Sequence, residues 1–336
     1  MFRLPAEWEP QSAVQLTFPH AGTDWTDMLD EVLPCFVQIA AQIARFEKVI
    51  VVCADAKAVQ QLLANIPEDR LVLAEIPSND TWARDHGGIT VVAEDGTYTI
   101  LDFVFNGWGL KFPAFYDNLI TKRLYEKGVF QADIRHGGIA LEGGGIESDG
   151  QGTLLTTEEC LLSPNRNPHL SKLEIEVFLK KTFGLQQVLW LRNGYLAGDD
   201  TDSHIDTLAR FCSPDTIAYV RCDDPNDEHF PALTKMEAEL RQFRTLDGKS
   251  YHLVPLPWPD ACYAEDGHRL PATYANFLII NGAVLAPVYN VPQDEASLRI
   301  LQTLFPDREI IAINCRSLIE QHGSLHCVTM QYPLYV

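Results

Sequence analysis

Cys327 is the residue whose surroundings in the sequence most favour chemistry. It lies nine residues before the end of the chain, after Gly323 and His326 and ahead of an apolar run typical of a strand. A thiolate is a strong nucleophile, and a turn at the entrance to a strand can present it to a substrate. The other seven cysteines lie mostly in apolar stretches without a Cys-x-x-Cys pair, so we interpret them as core residues. An isolated cysteine is more often buried and inert, so the sequence must also supply its partners.

Polar residues open each of four predicted hairpins. Asp85 precedes the first, Glu142 the second, His204 and Asp206 the third, and Asn276 the fourth. Neighbouring carboxylates raise one another's pKa, so a cluster of them is costly unless a cation neutralises it. A guanidinium group is planar and pairs with carboxylates through two hydrogen bonds at a time. These residues therefore predict a site where a guanidinium carbon is attacked by a thiolate while a histidine protonates the departing nitrogen.

The same residues have other interpretations. Asp85 could cap a turn, and Glu142, followed by three glycines, could be a solvated surface residue. The segment 199–206 carries four aspartates and one histidine, which suits a divalent metal, although it lacks the glycine and terminal glutamate of a calcium loop. The glycines after Glu142 lack the spacing of a nucleotide-binding loop. We expect His326 to have a structural role because adjacent residues of a strand face opposite sides.

Apolar periodicity predicts alternating helices and strands. The predicted helices are Met28–Phe46, Ala56–Ile66, Leu170–Phe183, Phe230–Phe243 and Glu295–Leu304. The predicted strands outside the later hairpins are Val49–Ala54, Leu71–Ile76, Ile89–Ala93, Tyr98–Phe105, Val188–Leu191, Tyr251–Leu256 and Ile310–Ile313. The third hairpin is predicted over Ile205–Phe211 and Thr216–Arg221, the fourth over Phe277–Ile280 and Ala283–Val288, with Cys327 at the head of a last strand. Five loose units of hairpin, helix and strand around an axis would bring their entrances together.

Composition limits the partners of the protein. The chain has 336 residues, 46% of them hydrophobic, enough for one large domain or two medium ones. With 26 Lys and Arg against 46 Asp and Glu, the net charge is -20, which repels nucleic acid and attracts small cations, although acidic surfaces also simply keep proteins dispersed. No apolar run reaches the roughly 18 residues of a membrane span, and the amino terminus lacks a secretory pattern, so we expect a cytoplasmic protein without membrane partners.

Ordered motifs run through nearly the whole chain. They are Pro5-Ala6-Glu7-Trp8-Glu9-Pro10, Asn79-Asp80-Thr81-Trp82-Ala83-Arg84-Asp85, Phe105-Asn106-Gly107-Trp108-Gly109, Leu141-Glu142-Gly143-Gly144-Gly145, the stretch Leu154 to Leu162 with Asn165-Arg166-Asn167-Pro168, Thr201-Asp202-Ser203-His204-Ile205-Asp206, Asn281-Gly282 and His326-Cys327. In this order they resemble the agmatine deiminases, part of the guanidino-group-modifying superfamily that includes bacterial peptidylarginine deiminases.

The resemblance implies a five-bladed α/β propeller, formed as a single catalytic domain over residues 1–336. It implies that Cys327 forms a covalent amidino-thioether intermediate and that His204 is the general acid and base. Asp85 and Asp206 would grip the guanidinium, and Glu142 would assist them and orient the histidine. No cofactor or metal is expected.

The implied reaction converts agmatine and water into N-carbamoylputrescine and ammonia. Trp82 is expected to stack near the substrate, Asp200 to meet the distal amine, and Asn276 to contact the substrate. A deiminase of peptidyl or free arginine is the alternative, and it would need a cation in the pocket for the substrate carboxylate. A guanidino-binding protein without turnover is a second alternative. The expected partner is a small cationic substrate, and formation of a homo-oligomer is left open.

Overall fold

The computed structural model describes residues 2–333 as a mixed α/β protein, which confirms the predicted fold class. The strands are β1 (Phe2–Arg3), β2 (Gln11–Thr17), β3 (Lys48–Cys53), β4 (Leu71–Glu75), β5 (Ile89–Ala93), β6 (Tyr98–Val104), β7 (Asp133–Ala140), β8 (Ile146–Ser148), β9 (Thr153–Thr157), β10 (Gln187–Leu191), β11 (Ala209–Ser213), β12 (Thr216–Val220), β13 (His252–Leu256), β14 (Leu278–Ile280), β15 (Ala283–Val288), β16 (Glu309–Asn314) and β17 (Thr329–Pro333). The helices are α1 (Leu29–Ala44), α2 (Ala56–Leu62), α3 (Ala83–His86), α4 (Gly107–Leu110), α5 (Ile120–Glu126), α6 (Glu158–Leu161), α7 (Lys172–Phe183), α8 (Phe230–Leu240) and α9 (Asp294–Leu304).

The strands form five separate sheets that repeat one pattern. In each sheet two strands pair antiparallel, and the second of them pairs in parallel with a strand that follows a helix. The repeated sets are β5-β6-β7, β8-β9-β10, β11-β12-β13, β14-β15-β16 and β17-β2-β3, with α5, α7, α8, α9 and α1 before their last strands. β1 and β4 extend the first and last sets at their edges. A helical crossover is what allows two strands to run parallel.

The fifth sheet joins the two ends of the chain. β17 pairs antiparallel with β2, with Thr329 opposite Leu16. The hydroxyl of Tyr332 also donates to Oε1 of Gln15 across this pair, at 2.8 Å. The strand that follows Cys327 is therefore held in place by residues from the start of the chain.

The predicted helices and most predicted strands are found within a few residues of their expected bounds. Two expectations near the site are wrong. Residues Ile205–Thr207 form a 3-10 helix, and β11 starts only at Ala209. Cys327 lies in a turn, two residues before β17, and not at the head of the strand itself. The sequence analysis also contained no element at β2, β7 or α5.

Short helical turns lead into the sheets, and these turns carry the predicted site residues. Asp85 lies in α3 before β5, and Glu142 precedes a 3-10 turn of three glycines before β8. Asp206 lies in the 3-10 turn before β11. Polar side chains at equivalent positions of repeated units can therefore converge, as the sequence analysis required. None of the helices within residues 2–333 is long and apolar enough to span a membrane.

Candidate active site

Cys327 lines a pocket whose other walls are aromatic and acidic. The rings of Trp82 and Trp108 meet edge to face in it, with centroids 6.4 Å apart. Asp85 and Asp200 also line this pocket. The thiol is 5% exposed and is therefore reached only through the pocket.

Asn276 holds the thiol and the turn that carries it. Its Oδ1 atom accepts a hydrogen bond from Sγ of Cys327 at 3.3 Å. The same oxygen accepts from the backbone N–H groups of His326 (2.9 Å) and Cys327 (3.3 Å). Asn276 is not among the residues that line the pocket, and neither are His204, Glu142 and Asp206, so its predicted contact with the substrate stays a prediction.

The pKa of Cys327 is raised well above its ordinary value. Burial is the main cause, and the negative charges of Asp206 and Asp85 add to it, while the contacts with Ser324 and Asn276 lower the pKa by a smaller amount. In the free protein the group is therefore a thiol. A guanidinium placed between the two aspartates would reverse the effect of their charge on the thiol pKa.

His204 lies between two carboxylates. Its Nδ1 atom is 3.6 Å from Oδ1 of Asp85, and its Nε2 atom is 3.6 Å from Oε2 of Glu142. Burial lowers the pKa of His204, but the charge of Asp85, the contact with Cys160 and the hydrogen bond to Glu142 outweigh it, so the pKa is raised well above its usual value. A histidine that keeps its proton near neutral pH can protonate a leaving nitrogen.

Arg166 fixes Glu142 in place. Its Nε atom donates to both carboxylate oxygens of Glu142, at 3.0 and 2.7 Å. Its Nη1 atom donates to Asp202 at 2.6 Å. Burial raises the pKa of Glu142, but His204 and Arg166 together lower it below its ordinary value, so the carboxyl stays ionised. The sequence analysis did not assign Arg166 a role, although it lies in one of the quoted motifs.

Asp85 is oriented by a strained loop. The indole Nε1 of Trp108 donates to Oδ2 of Asp85 at 2.9 Å, and the backbone N–H of Gly144 donates to Oδ1 at 3.1 Å. Trp108 adopts a left-handed conformation, with φ of 55°. Such a conformation is unfavourable for a bulky residue and is retained where the surroundings enforce it. Trp108 is a second residue to which the sequence analysis gave no role.

Asp206 keeps one oxygen for a ligand. Its Oδ2 atom is 2.8 Å from Nδ1 of His326, whose Nε2 atom is 2.7 Å from Glu7. Burial raises the pKa of Asp206, but the hydrogen bond and charge of His326 lower it below its ordinary value. The Oδ1 atom is buried without a hydrogen-bond partner among the described residues. These contacts place His326 behind the site, in keeping with the structural role expected for it.

Gly144 is the point on which three of these side chains converge. A Cβ atom at this position would lie 2.6 Å from Nδ1 of His204, 2.8 Å from Oδ1 of Asp85 and 3.2 Å from Oδ2 of Asp206. Real Cβ atoms do not approach that closely, so only glycine leaves room for the cluster. The glycine run therefore serves the site by its lack of side chains.

Trp82 packs against the turn that carries the nucleophile. A Cβ atom on Gly323 would lie 2.0 Å from the indole ring, so the ring lies directly on the backbone there. The indole Nε1 donates to Oδ2 of Asp80 at 2.9 Å. Burial and the nearby Asp24 raise the pKa of Asp80 to about 7. Asp24 and Asp80 both line the pocket, and the sequence analysis did not single them out.

The side chains of residues 199–206 do not surround one point in the described structure. Asp199 accepts from Thr201 and Ser203 within its own turn. Asp202 pairs with Arg166 and Lys111, while Asp206 faces His326. Asp200 lines the pocket, and its carboxylate has only a distant ion-pair partner, His322, 3.9 Å away. The alternative interpretation of this segment as a metal site therefore has no geometric support.

The raised pKa of Cys327 predicts slow alkylation at neutral pH. We expect the rate of inactivation by iodoacetamide to rise with pH, with an apparent pKa above the ordinary thiol value of about 8.5. The reason is that burial and two carboxylates disfavour the thiolate. Mass spectrometry of the labelled peptide checks that Cys327 is the site, and a Cys327→Ser variant is the control. A midpoint at or below the ordinary value would contradict the electrostatic account.

The regions that match known proteins include all the residues of this site. The model of the Porphyromonas-type peptidyl-arginine deiminase family matches residues 3–333. The agmatine deiminase of Pseudomonas aeruginosa (strain LESB58) is 34% identical, over 99% of this chain and 95% of that protein. The crystal structure of the putative arginine deiminase from Porphyromonas gingivalis is 57% identical, with a TM-score of 0.95 over 100% of this chain and 99% of that one. The C. jejuni agmatine deiminase with substrate bound is 37% identical, with a TM-score of 0.93 over 99% and 96% of the two chains.

Proposed function

The chain belongs to the Porphyromonas-type peptidyl-arginine deiminase family, whose members hydrolyse the C–N bond of guanidino groups, and from this premise we propose that it is an agmatine deiminase. The reaction would convert agmatine and water into N-carbamoylputrescine and ammonia. The family alone leaves the substrate undecided, because its similar members are named for agmatine and for arginine.

The acidic lining of the pocket is the observation that supports agmatine as the substrate. Asp24, Asp80, Asp199 and Asp200 line it together with the aromatic rings, and the described lining includes no lysine or arginine. Agmatine ends in an ammonium group, which these carboxylates attract. Arginine carries a carboxylate in addition, which they would repel. Lys111 is a cation near the edge of the pocket. Its ammonium group donates hydrogen bonds to Asp202 and to the backbone carbonyl of Asp200.

The proposed first step is attack by Cys327 on the guanidinium carbon. Asp85 and Asp206 accept hydrogen bonds from the guanidinium, and its positive charge lowers the thiol pKa that these carboxylates raise. The thiol loses its proton to water in the pocket, the S–C bond forms, and protonated His204 supplies a proton to the nitrogen that leaves as ammonia. The C–N bond breaks as the covalent amidino-thioether forms.

The second step restores the thiol. Neutral His204 takes a proton from a water molecule, whose oxygen attacks the same carbon, and the C–S bond breaks to release the urea group of N-carbamoylputrescine. Glu142, held ionised by Arg166, stabilises the positive charge that returns to the imidazole. The proposed reaction uses only side chains and water, without a cofactor.

The repeated sheets support a propeller arrangement. We propose that the five sheets are the blades of one α/β propeller domain, and that the turns carrying Asp85, Glu142, Asp206 and Cys327 meet near its axis. Gly144 precedes the second sheet and lies close to the side chains of Asp85, before the first sheet, and of His204 and Asp206, before the third, which supports such a convergence.

A comparison of substrates tests the proposed function. We expect kcat/KM for agmatine to exceed that for free arginine and for a peptide with a carboxy-terminal arginine by at least about tenfold, since one repelled carboxylate costs more than the roughly 1.4 kcal/mol that a factor of ten requires. Ammonia release from each compound is the measurement. Preference for arginine would overturn the choice of substrate while leaving the deiminase chemistry intact.

The variant Asp200→Ala tests the subsite for the amine. We expect KM for agmatine to rise about two- to fivefold with kcat nearly unchanged, because an ion pair at a half-exposed carboxylate contributes at most about 1 kcal/mol. The same variant should lose less, or gain, with arginine. An unchanged KM for agmatine would place the ammonium group at Asp24 and Asp80 instead.

A further inference from the structure

A second cysteine lies behind the catalytic histidine. Cys160 is fully buried, and its Sγ atom is 3.8 Å from Oε2 of Glu142. The same Oε2 atom is 3.6 Å from Nε2 of His204. The sulfur, the carboxylate oxygen and the imidazole nitrogen all lie within 4.8 Å of one another. Among the described residues, this is the one cluster of three such ligand types.

The imidazole nitrogen that faces this cluster has only long contacts. His204 is 1% exposed, and its Nε2 atom lies 3.6 Å from Oε2 of Glu142, beyond ordinary hydrogen-bond distance. A buried polar atom without a well-formed hydrogen bond is a place where another group can bind. The guanidinium chemistry does not use Cys160, a buried core residue whose thiol nevertheless faces the catalytic carboxylate.

The spacing of the three atoms fits a tetrahedral zinc site. Zinc lies about 2.0–2.2 Å from nitrogen and oxygen ligands and about 2.3 Å from sulfur, so tetrahedral neighbours are roughly 3.4 Å (N to O) and 3.6 Å (S to O) apart. The observed separations are 3.6 Å between His204 and Glu142 and 3.8 Å between Cys160 and Glu142. The sulfur and the imidazole nitrogen lie within 4.8 Å of each other and would have to approach to about 3.6 Å, and a water molecule can complete the fourth position.

The surroundings also favour a divalent cation. Asp85 faces the opposite nitrogen of His204 at 3.6 Å, the arrangement by which a carboxylate orients a metal-bound histidine. Arg166 donates to the same Oε2 atom of Glu142 at 2.7 Å, so the cation would share this oxygen with the guanidinium, whose positive charge is balanced by Asp202 at 2.6 Å. Asp85 lines the substrate pocket and contacts His204, so a residue of the pocket wall touches the cluster.

We propose that Glu142, Cys160 and His204 form a binding site for a thiophilic divalent cation of the zinc class, and that occupancy of this site inhibits the enzyme. On binding, the Cys160 thiol and the protonated imidazole of His204 each release a proton to water, because both ligand atoms must be unprotonated. The cation occupies the nitrogen and the carboxylate oxygen that the hydrolysis requires, so the bound form cannot protonate the leaving group. The site is therefore an inhibitory one that shares two residues with the catalytic apparatus.

Cobalt(II) is a suitable probe because a bound thiolate produces a charge-transfer absorption. The titration uses metal-free protein with Cys327→Ala, which removes the nucleophilic thiol from the pocket. We expect one equivalent of Co²⁺ to produce the absorption band, and we expect the double variant Cys327→Ala/Cys160→Ala to lack it. The matched control is Cys327→Ala/Cys212→Ala, which should keep the band, because Cys212 is also buried and its sulfur contacts a backbone carbonyl at 3.9 Å.

A second variant separates coordination from folding. Cys327→Ala/His204→Ala should weaken Co²⁺ binding at least about tenfold while circular dichroism shows an unchanged fold. Zinc should inhibit the wild-type enzyme, and Cys160→Ser should raise the half-inhibitory concentration at least about tenfold. A band that survives removal of Cys160, or that disappears with Cys327→Ala alone, would overturn the proposed ligand set. The spectroscopic experiment requires no turnover, so its result is independent of the choice of agmatine as substrate.

Discussion

Replacement of Cys327 by serine is expected to abolish ammonia release, with a fall in kcat of at least about 10³-fold. Serine can keep the hydrogen bond to Asn276, but its hydroxyl ionises far less readily than a thiol. No other cysteine among the described residues lines this pocket, so no second thiol can replace it. Steady-state assays of ammonia and of N-carbamoylputrescine measure the loss.

The same variant distinguishes an enzyme from a binding protein. Calorimetry should show that Cys327→Ser still binds agmatine, because Asp85 and Asp206 remain to accept the guanidinium. The matched control is Cys262→Ala, a buried cysteine outside this pocket that should keep full activity. Ammonia release at the wild-type rate from Cys327→Ser would remove the covalent mechanism and favour a role without this nucleophile.

Replacement of His204 by glutamine is expected to lower kcat by about 10²- to 10⁴-fold with a smaller change in KM. Glutamine occupies a similar volume but cannot deliver a proton to the leaving nitrogen or take one from water. Both steps of the proposed mechanism then lose their proton transfer. Rapid mixing with mass detection of the protein measures how much covalent intermediate forms.

His136→Gln is the control for the loss of a histidine. His136 is exposed on β7 and contacts the backbone of Gly138, so this variant should retain activity. If His204→Gln instead raised KM with kcat unchanged, His204 would serve in binding, and the general acid would have to be another group.

Local patterns in the sequence accounted for most of the helices and strands. α1 and α7 follow from a helical apolar period, because one face of each is buried, while β3 follows from an unbroken apolar run typical of a strand buried on both faces. β2 and β7 were missed because their strand signal is weak: β2 mixes glutamine, serine and threonine with its apolar residues, and β7 contains adjacent glycines. β2 is nevertheless buried, since it acquires β17 and β3 as neighbours.

The site residues that were predicted differ from the missed ones in whether their role can be inferred without knowing their neighbours. Cys327, His204 and the three carboxylates were predicted because their side-chain types fit one chemistry, whatever their neighbours. Asn276 was predicted as a substrate residue, and the structure adds that its amide oxygen accepts a hydrogen bond from the thiol of Cys327. Arg166 and Trp108 acquire a role only through the carboxylates that they orient.

The sequence by itself determined the reactive groups and the kind of ligand they suit, since three carboxylates, a histidine and a thiol match a guanidinium through their charge and hydrogen-bonding capacity. Tertiary structure decided which atoms meet. His326 joins Asp206 to Glu7, residues 120 and 319 positions away along the chain, and Cys160 lies against Glu142 from the next strand and helix. Such pairings arise from the packing of whole sheets, and no local period of apolar residues encodes them. The pKa values of Cys327 and His204 depend on those pairings, because burial and neighbouring charge set them.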